Sequence, residues 1–217
     1  MIFHIMAGGP IEMLPEIAHY KSDPVSWIGV DRGLLTLLNL GITPVKGIGD
    51  FDSVTEAELK WVKRNYAHLD ISPAEKDQTD TELAVNWCLA QKPNKIRIFG
   101  ATGGRLDHAL ANMQLLMKGV SQEIVIEIID RQNILTLLSP NTYNFEQHEE
   151  YPYVSFLPFS REVHGITLNG FKYPLTNRSI EWGTTLCVSN EIIEQMGTFS
   201  FSEGIVIMVK SKDLGAG

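Results

Sequence analysis

The chain of 217 residues has only two cysteines, Cys88 and Cys187. They form no CxxC pair and no zinc spacing, which excludes a disulfide framework and a structural zinc centre. Both sit among apolar residues, so they read as buried free thiols of a reducing compartment. Long hydrophobic runs are missing too. None reaches the ~18 residues that a membrane span needs, and no membrane partner is expected. The start, "MIFHIMAGGP", has no basic n-region and breaks at Gly-Gly. It reads as a strand and not as a secretory signal, so the expected location is cytoplasmic. Basic residues are outnumbered: 18 Lys and Arg face 26 Asp and Glu, a formal net charge of −8. A phosphate-backbone binder wants clustered Lys and Arg, so no nucleic-acid partner is expected. The acidity suits a cationic ligand or a bound metal, and equally a role in solubility. GxGxxG and the GK[ST] ending of a phosphate loop are both absent. The six histidines form no constellation.

What is present is an alternation. Apolar runs at 2–8, 27–33, 44–53 (a strand with its exit loop), 68–73, 95–101 and 123–130 read as strands. Helical patterns lie between them. Thr55 with Glu58, and Thr79 with Glu82, read as capping boxes that open two of these helices. Strands alternating with helices predict a parallel sheet with helices on both faces. Near residue 140 the period falls to two, through "YVSFLPF", "GITLNGFKYPL", "TTLCVSNEI" and "TFSFSEGIVIMVKS". Asn169-Gly170 and Glu203-Gly204 read as hairpin turns. The expected fold is therefore α/β plus β: a parallel-sheet α/β domain over 1–139, then a small antiparallel β-sandwich over 140–217.

The acidic residues share one address. Asp31 ends the second strand, and Asp50 and Asp52 end the third, in "GDFDS". Asp77 and Asp80 follow the fourth; Arg105 and Asp107 follow the fifth. An open α/β sheet binds its ligands beyond the carboxyl ends of its strands. Each acid also has a structural reading: Asp52, Asp80 and Asp107 as helix-start residues, Asp31 as a surface partner of Arg32. Yet carboxylates crowded on one edge repel one another, and a divalent cation relieves that. Hard oxygen ligands with no Cys or His cluster point to Mg²⁺. "GATGGRLDH" (100–108) adds an anion side. Its glycines, Gly103 and Gly104 among them, admit close backbone approach, successive N–H groups can form an anion nest, and Arg105 offers a bidentate fork. The residues by themselves describe a Mg-nucleotide enzyme.

"GDFDS" (49–53), "DQTDTELA" (77–84) and "GATGGRLDHALAN" (100–112), in this order, resemble the thiamine pyrophosphokinase family; so do "LNGFKYPLTN" (168–177) and "WGTTLCVSNE" (182–191). The resemblance spans nearly the whole chain. It implies transfer of the ATP pyrophosphoryl group to the thiamine hydroxyl, with AMP leaving. It implies a homodimer with the site between subunits. By motif position, Asp50, Asp52 and Asp80 carry Mg²⁺ and, with Arg105, the chemistry. Asp31, Gln78, Thr79, Gly103, Gly104, Arg105 and Asp107 line the nucleotide and phosphates. Ser189 and Asn190 contact thiamine, with Tyr173 and Trp182 as the aromatic candidates for its ring. A Mg-dependent nucleotide phosphohydrolase, or a non-catalytic thiamine- or nucleotide-binding protein, is the competing expectation.

Overall fold

A computed structural model describes residues 1–21, 24–51, 54–66, 69–71 and 77–215. It divides into two units, Met1–Arg131 and Gln132–Gly217.

In the first unit, strands β1 (Ile2–Met6), β2 (Val25–Val30), β3 (Lys46–Gly49), β4 (Leu69–Ile71), β5 (Lys95–Phe99) and β6 (Val125–Ile129) alternate with helices α1 (Arg32–Asn39), α2 (Glu56–Asn65), α3 (Asp80–Ala90) and α4 (Leu106–Val120). The strands lie in the order β6-β5-β1-β2-β3-β4, and every pair among them is parallel. The central strand β1 is buried at four consecutive positions, Phe3 to Met6. That requires cover on both faces. Phe3 packs edge-on against Trp87 of α3 at 5.5 Å. On the same face Gly119 of α4 lies against Ile126, the register partner of Ile96 and, through it, of Phe3. The opposite face carries His4, Trp27 and Gly29. Leu34 of α1 sits so close to Gly29 that a Cβ there would meet the Leu34 Cα at 2.5 Å. Leu34 and Leu35 share an apolar cluster with Val62 of α2. Helices α1 and α2 thus cover one face, and α3 and α4 the other.

The helix starts follow local sequence. Thr55 and Glu58 form the full reciprocal capping box of α2. At α3 only half of the expected box is made. Thr79 Oγ1 accepts from Glu82 N at 3.2 Å, but the Glu82 carboxylate turns to Gln78 Nε2 at 3.2 Å and Lys118 Nζ at 2.9 Å. A long cation on α4 competes successfully with one backbone N–H, because ionic hydrogen bonds are the stronger kind.

In the second unit all strands are antiparallel: β7 (Asn133–Leu138), β8 (Asn141–Glu146), β9 (Tyr153–Pro158), β10 (Glu162–Asn169), β11 (Leu175–Glu181), β12 (Asn190–Glu191), β13 (Met196–Phe201) and β14 (Val206–Ser211). One layer runs β12-β9-β14-β7, the other β11-β10-β13-β8. Between them Phe156 stacks on Phe199 with centroids 3.9 Å apart. The unit begins at Gln132, ahead of the boundary expected at 139, because β7 pairs along its whole length with β14. Asn169-Gly170 opens a longer connection between paired strands β10 and β11. Glu203-Gly204 is not a hairpin turn. It carries the chain from β13 in one layer to β14 in the other, with Gly204 at φ 94°. Cys88 and Cys187 are buried free thiols, as expected, and burial raises both above the usual thiol range, Cys187 to about 11. Among the described residues no helix is long and apolar enough to cross a membrane.

Candidate active site

The carboxyl ends of β2 and β3 deliver the first two acids. Asp31 stands immediately before α1 with φ 47° and ψ −122°, a conformation that costs a non-glycine residue about 1–3 kcal/mol. Hydrogen bonds hold it there: Asp31 N donates to Ile48 O at 3.0 Å, and Leu34 N donates to Asp31 O at 3.1 Å. Its Oδ1 accepts from Phe51 N at 3.4 Å. Phe51, also left-handed at φ 59°, is buried in the α1–α2 cluster. An anchored aromatic therefore fixes the backbone on one side of Asp50. Gly49 leaves room for the acid: a Cβ there would lie 2.0 Å from Asp31 Oδ1.

Asp80 is the first residue of α3. Asp31, Asp50 and Asp80 are all half-buried, and each offers a carboxylate oxygen within 4.8 Å of the others. Three loops thus converge on one point. Asp52 and Ser53 lie outside the described residues, so the expected role of Asp52 has no structural test here. Asp77 is exposed and is not part of the group. Gln78 and Thr79 have jobs at the start of α3, binding the side chain and the backbone N–H of Glu82.

The glycine-rich loop follows β5 and runs into the 15-residue α4, whose N-terminus favours anions. It packs on the loop after β1. Gly9 N donates to Gly100 O at 2.8 Å, and a Cβ on Gly103, at φ 82°, would meet Met13 Cγ at 2.4 Å. Gly104 has more room, with Pro10 Cδ 3.8 Å from the position of its Cβ. Two residues that the sequence reading did not single out brace this loop. Thr102 Oγ1 donates to the buried Asp130 Oδ2 at 2.7 Å, and the buried Asn112 Nδ2 donates to Ala101 O at 3.0 Å. Asp130 directly follows β6, so the same carboxyl-edge rule that found Asp31 applies to it.

Arg105 and Asp107 meet as a bidentate pair. Arg105 Nε donates to Asp107 Oδ1 at 3.1 Å and Nη2 to Oδ2 at 2.6 Å. Both are exposed. The guanidinium holds the Asp107 carboxyl down to about 2, and Asp107 raises Arg105 further above its already high value. The fork expected to meet phosphate is turned to a carboxylate here.

In the second unit Asn190 is buried at 2% exposure. Its Oδ1 accepts from Tyr173 N at 3.0 Å and Glu191 N at 2.9 Å, and its Nδ2 donates to Tyr173 O at 2.9 Å. It therefore ties the 171–174 connection to β12. Ser189, left-handed at φ 55°, stays exposed while its N–H donates to Ser155 Oγ at 2.9 Å. Tyr173 and Trp182 are 57% and 65% exposed, so neither ring packs into the sandwich core.

A parallel α/β sheet with clustered carboxylates and a glycine loop at its carboxyl edge is an arrangement that nucleotide-dependent phosphoryl-transfer enzymes use. The comparisons narrow the class. Residues 17–128 match the model of the thiamin pyrophosphokinase catalytic domain, and residues 142–206 that of the thiamin pyrophosphokinase vitamin B1 binding domain. The chain is 50% identical over 210 residues to thiamine pyrophosphokinase of Bacillus subtilis (strain 168), covering 97% of this chain and 98% of that one. A crystal structure of thiamin pyrophosphokinase from Geobacillus thermodenitrificans superposes with a TM-score of 0.92 at 50% identity, covering 100% of both chains. Thiamin pyrophosphokinase from Candida albicans, at 17% identity, shares the fold with a TM-score of 0.82 over 98% of this chain and 89% of that one. The chain belongs to the thiamine pyrophosphokinase family, a family of ATP-dependent pyrophosphotransferases.

Proposed function

We propose that the chain transfers the pyrophosphoryl group of ATP to the hydroxyl of thiamine, giving thiamine diphosphate and AMP, with Mg²⁺ as its metal. The observation that carries this reading is the meeting of Asp31, Asp50 and Asp80 from three loops in a chain of this family.

The donor set suits Mg²⁺. All three side chains supply hard oxygen. Three carboxylate oxygens within 4.8 Å of one another could close on one such ion. When bound, the ion supplies Lewis-acid neutralisation of phosphate charge. Asp50, Asp52 and Asp80 would hold it, with Asp31 adjoining.

The chain's own groups do the rest. Gly103, Gly104 and the start of α4 offer backbone N–H groups to the phosphates. Asp107 keeps Arg105 oriented near them, and stays ionised because its carboxyl is held at about 2. Gln78 and Thr79 line the same region. In the second unit the exposed rings of Tyr173 and Trp182 suit a cationic thiazolium, with Ser189 as a further thiamine contact and Asn190 holding the Tyr173 backbone. Alignment of the hydroxyl for in-line attack lowers the barrier, and a carboxylate accepts its proton. The working form is a homodimer with its site between subunits, in the cytoplasm.

The test is AMP formation from ATP and Mg²⁺, with and without thiamine. Thiamine-dependent AMP, with thiamine diphosphate in equal amount, is the expected result. Phosphate release independent of thiamine would mean a phosphohydrolase. Tight binding without AMP would mean a sensor.

A further inference from the structure

Asp130 directly follows β6 and is buried. The register pairs Phe99 with Ile129, the last residues of β5 and β6. Asp130 therefore stands next to Gly100, where the glycine-rich loop begins. Two residues on, Thr102 turns back, and its Oγ1 donates to Asp130 Oδ2 at 2.7 Å. Arg131, the residue after Asp130, holds the loop that follows β1. Its N–H donates to Met13 O at 2.8 Å, and Met13 is the side chain on which Gly103 packs. The exit of β6 thus grips the glycine-rich loop twice, directly through Thr102 and indirectly through Met13.

The direct grip falls where the loop has least to hold itself. Gly103 and Gly104 have no side chains, and a glycine backbone samples both signs of φ. Their N–H groups converge on an anion only in particular turn conformations. Asn112 of α4 fixes Ala101 O at 3.0 Å, which leaves Thr102 as the last side chain ahead of the two glycines. Its bond is made to a carboxylate, and such hydrogen bonds are about twice as strong as neutral ones. A loop that keeps its phosphate-ready shape for part of the time binds its ligand more weakly in proportion.

We propose that Asp130 is a positioning residue for the triphosphate substrate: through the Thr102 hydroxyl it fixes the glycine-rich loop in the shape that receives phosphate. This rests on the ATP-dependent reading above. Because Asp130 acts through Thr102, it bears on the nucleotide and not on thiamine.

The experiment compares wild type with Thr102→Val, Thr102→Ala, Thr102→Ser, Asp130→Asn and the double variant Thr102→Val with Asp130→Asn, at a temperature where circular dichroism shows each folded. Binding of a non-hydrolysable ATP analogue with Mg²⁺, and of thiamine, is measured by calorimetry beside steady-state kinetics. Valine keeps the shape of threonine and removes the hydroxyl, and alanine repeats the test with less bulk. Loss of a hydrogen bond to a charged group predicts a Kd for the analogue and a KM for ATP raised about ten- to a hundredfold in both. The Kd and KM for thiamine should stay within about twofold, as for independent sites. Serine keeps the donor, so Thr102→Ser should stay within about threefold of wild type throughout. Asp130 has interactions beyond Thr102, so Asp130→Asn is read through the double variant. The double variant should bind the analogue no more weakly than the weaker of its two single variants, because residues acting through one contact do not add. Unchanged analogue binding in the folded valine and alanine variants overturns the assignment. So do losses that add in the double variant, a serine variant as weak as the valine one, or a loss for thiamine equal to that for the analogue. A wild-type protein that neither binds nor cleaves ATP overturns the functional reading itself, and is distinguishable because it appears before any substitution is made.

Discussion

Gly49→Ala is the smallest change that separates the site from the fold. The added Cβ would lie 2.0 Å from Asp31 Oδ1 and 2.9 Å from its Cγ, where real Cβ contacts essentially never fall under 3.0 Å. The carboxylate oxygen must retreat by at least about 1 Å, and a misplacement of that size near reacting groups costs about a hundredfold in rate. The backbone resists as well, because Gly49 lies at φ 155°, where an alanine costs about 1–3 kcal/mol. Asp31 N would be 3.1 Å from the new atom, tight but tolerable after small shifts, and overpacking of this kind costs about 1–3 kcal/mol. In a protein of this size the two costs together lower Tm by about 4–24 °C, so turnover is compared at a temperature where circular dichroism shows the variant folded. The assay is thiamine-dependent AMP production across a Mg²⁺ titration, beside circular dichroism. Turnover should fall about a hundredfold, and the Mg²⁺ needed for half-maximal rate should rise. The double variant with Asp31→Ala should be no slower than Asp31→Ala alone, because the alanine acts through Asp31 and coupled residues do not add. A folded Gly49→Ala within threefold of wild type, or losses that add in the double variant, would refute this account of Asp31.

Three further outcomes follow from other parts of the molecule. Asp50→Asn and Asp80→Asn should each cut turnover by about a hundredfold or more with an unchanged unfolding curve; near-normal turnover in either would remove it from the metal set. Asn190→Ala should lower stability by about 1–3 kcal/mol, because it strips partners from the N–H groups of Tyr173 and Glu191, whereas Tyr173→Ala and Trp182→Ala, both exposed, should stay within about 0.5 kcal/mol and be read instead in the KM for thiamine. His4 makes the fold sensitive to acid. It is fully buried among Trp27, Phe99 and Tyr20, and desolvation, then Arg97, lowers it to about 3. The unfolded chain therefore takes up a proton below pH 6.5 that the folded chain refuses. Stability present above that value is lost as pH falls toward 3, by about 1.2 kcal/mol between pH 6 and pH 5. Urea unfolding at the two values should show that slope in wild type and lose it in His4→Phe; equal slopes would show that His4 is not its source.

Much of this was legible in the residues. Apolar runs and caps placed the strands and helices, since burial on both faces demands continuous hydrophobic stretches and helix ends demand donors or acceptors within a few residues. The rule that ligands gather at the carboxyl edge put Asp31, Asp50 and Asp80 in one neighbourhood before any coordinates, and local periodicity marked the change to an antiparallel unit. What distance in the chain conceals was left to tertiary packing. Only the fold shows that Gly49 makes room for Asp31, that Asp130 and Asn112 brace the glycine loop from a neighbouring strand and helix, and that Asn190 is spent on the Tyr173 backbone. Only the fold divides the chain at Arg131, because β7 finds its partner in β14 some seventy residues later. Local sequence determines which elements form, because periodicity and capping act over a turn or two. Which side chains meet, and which glycine must stay bare beside them, is decided by how strands far apart in the chain pair side by side.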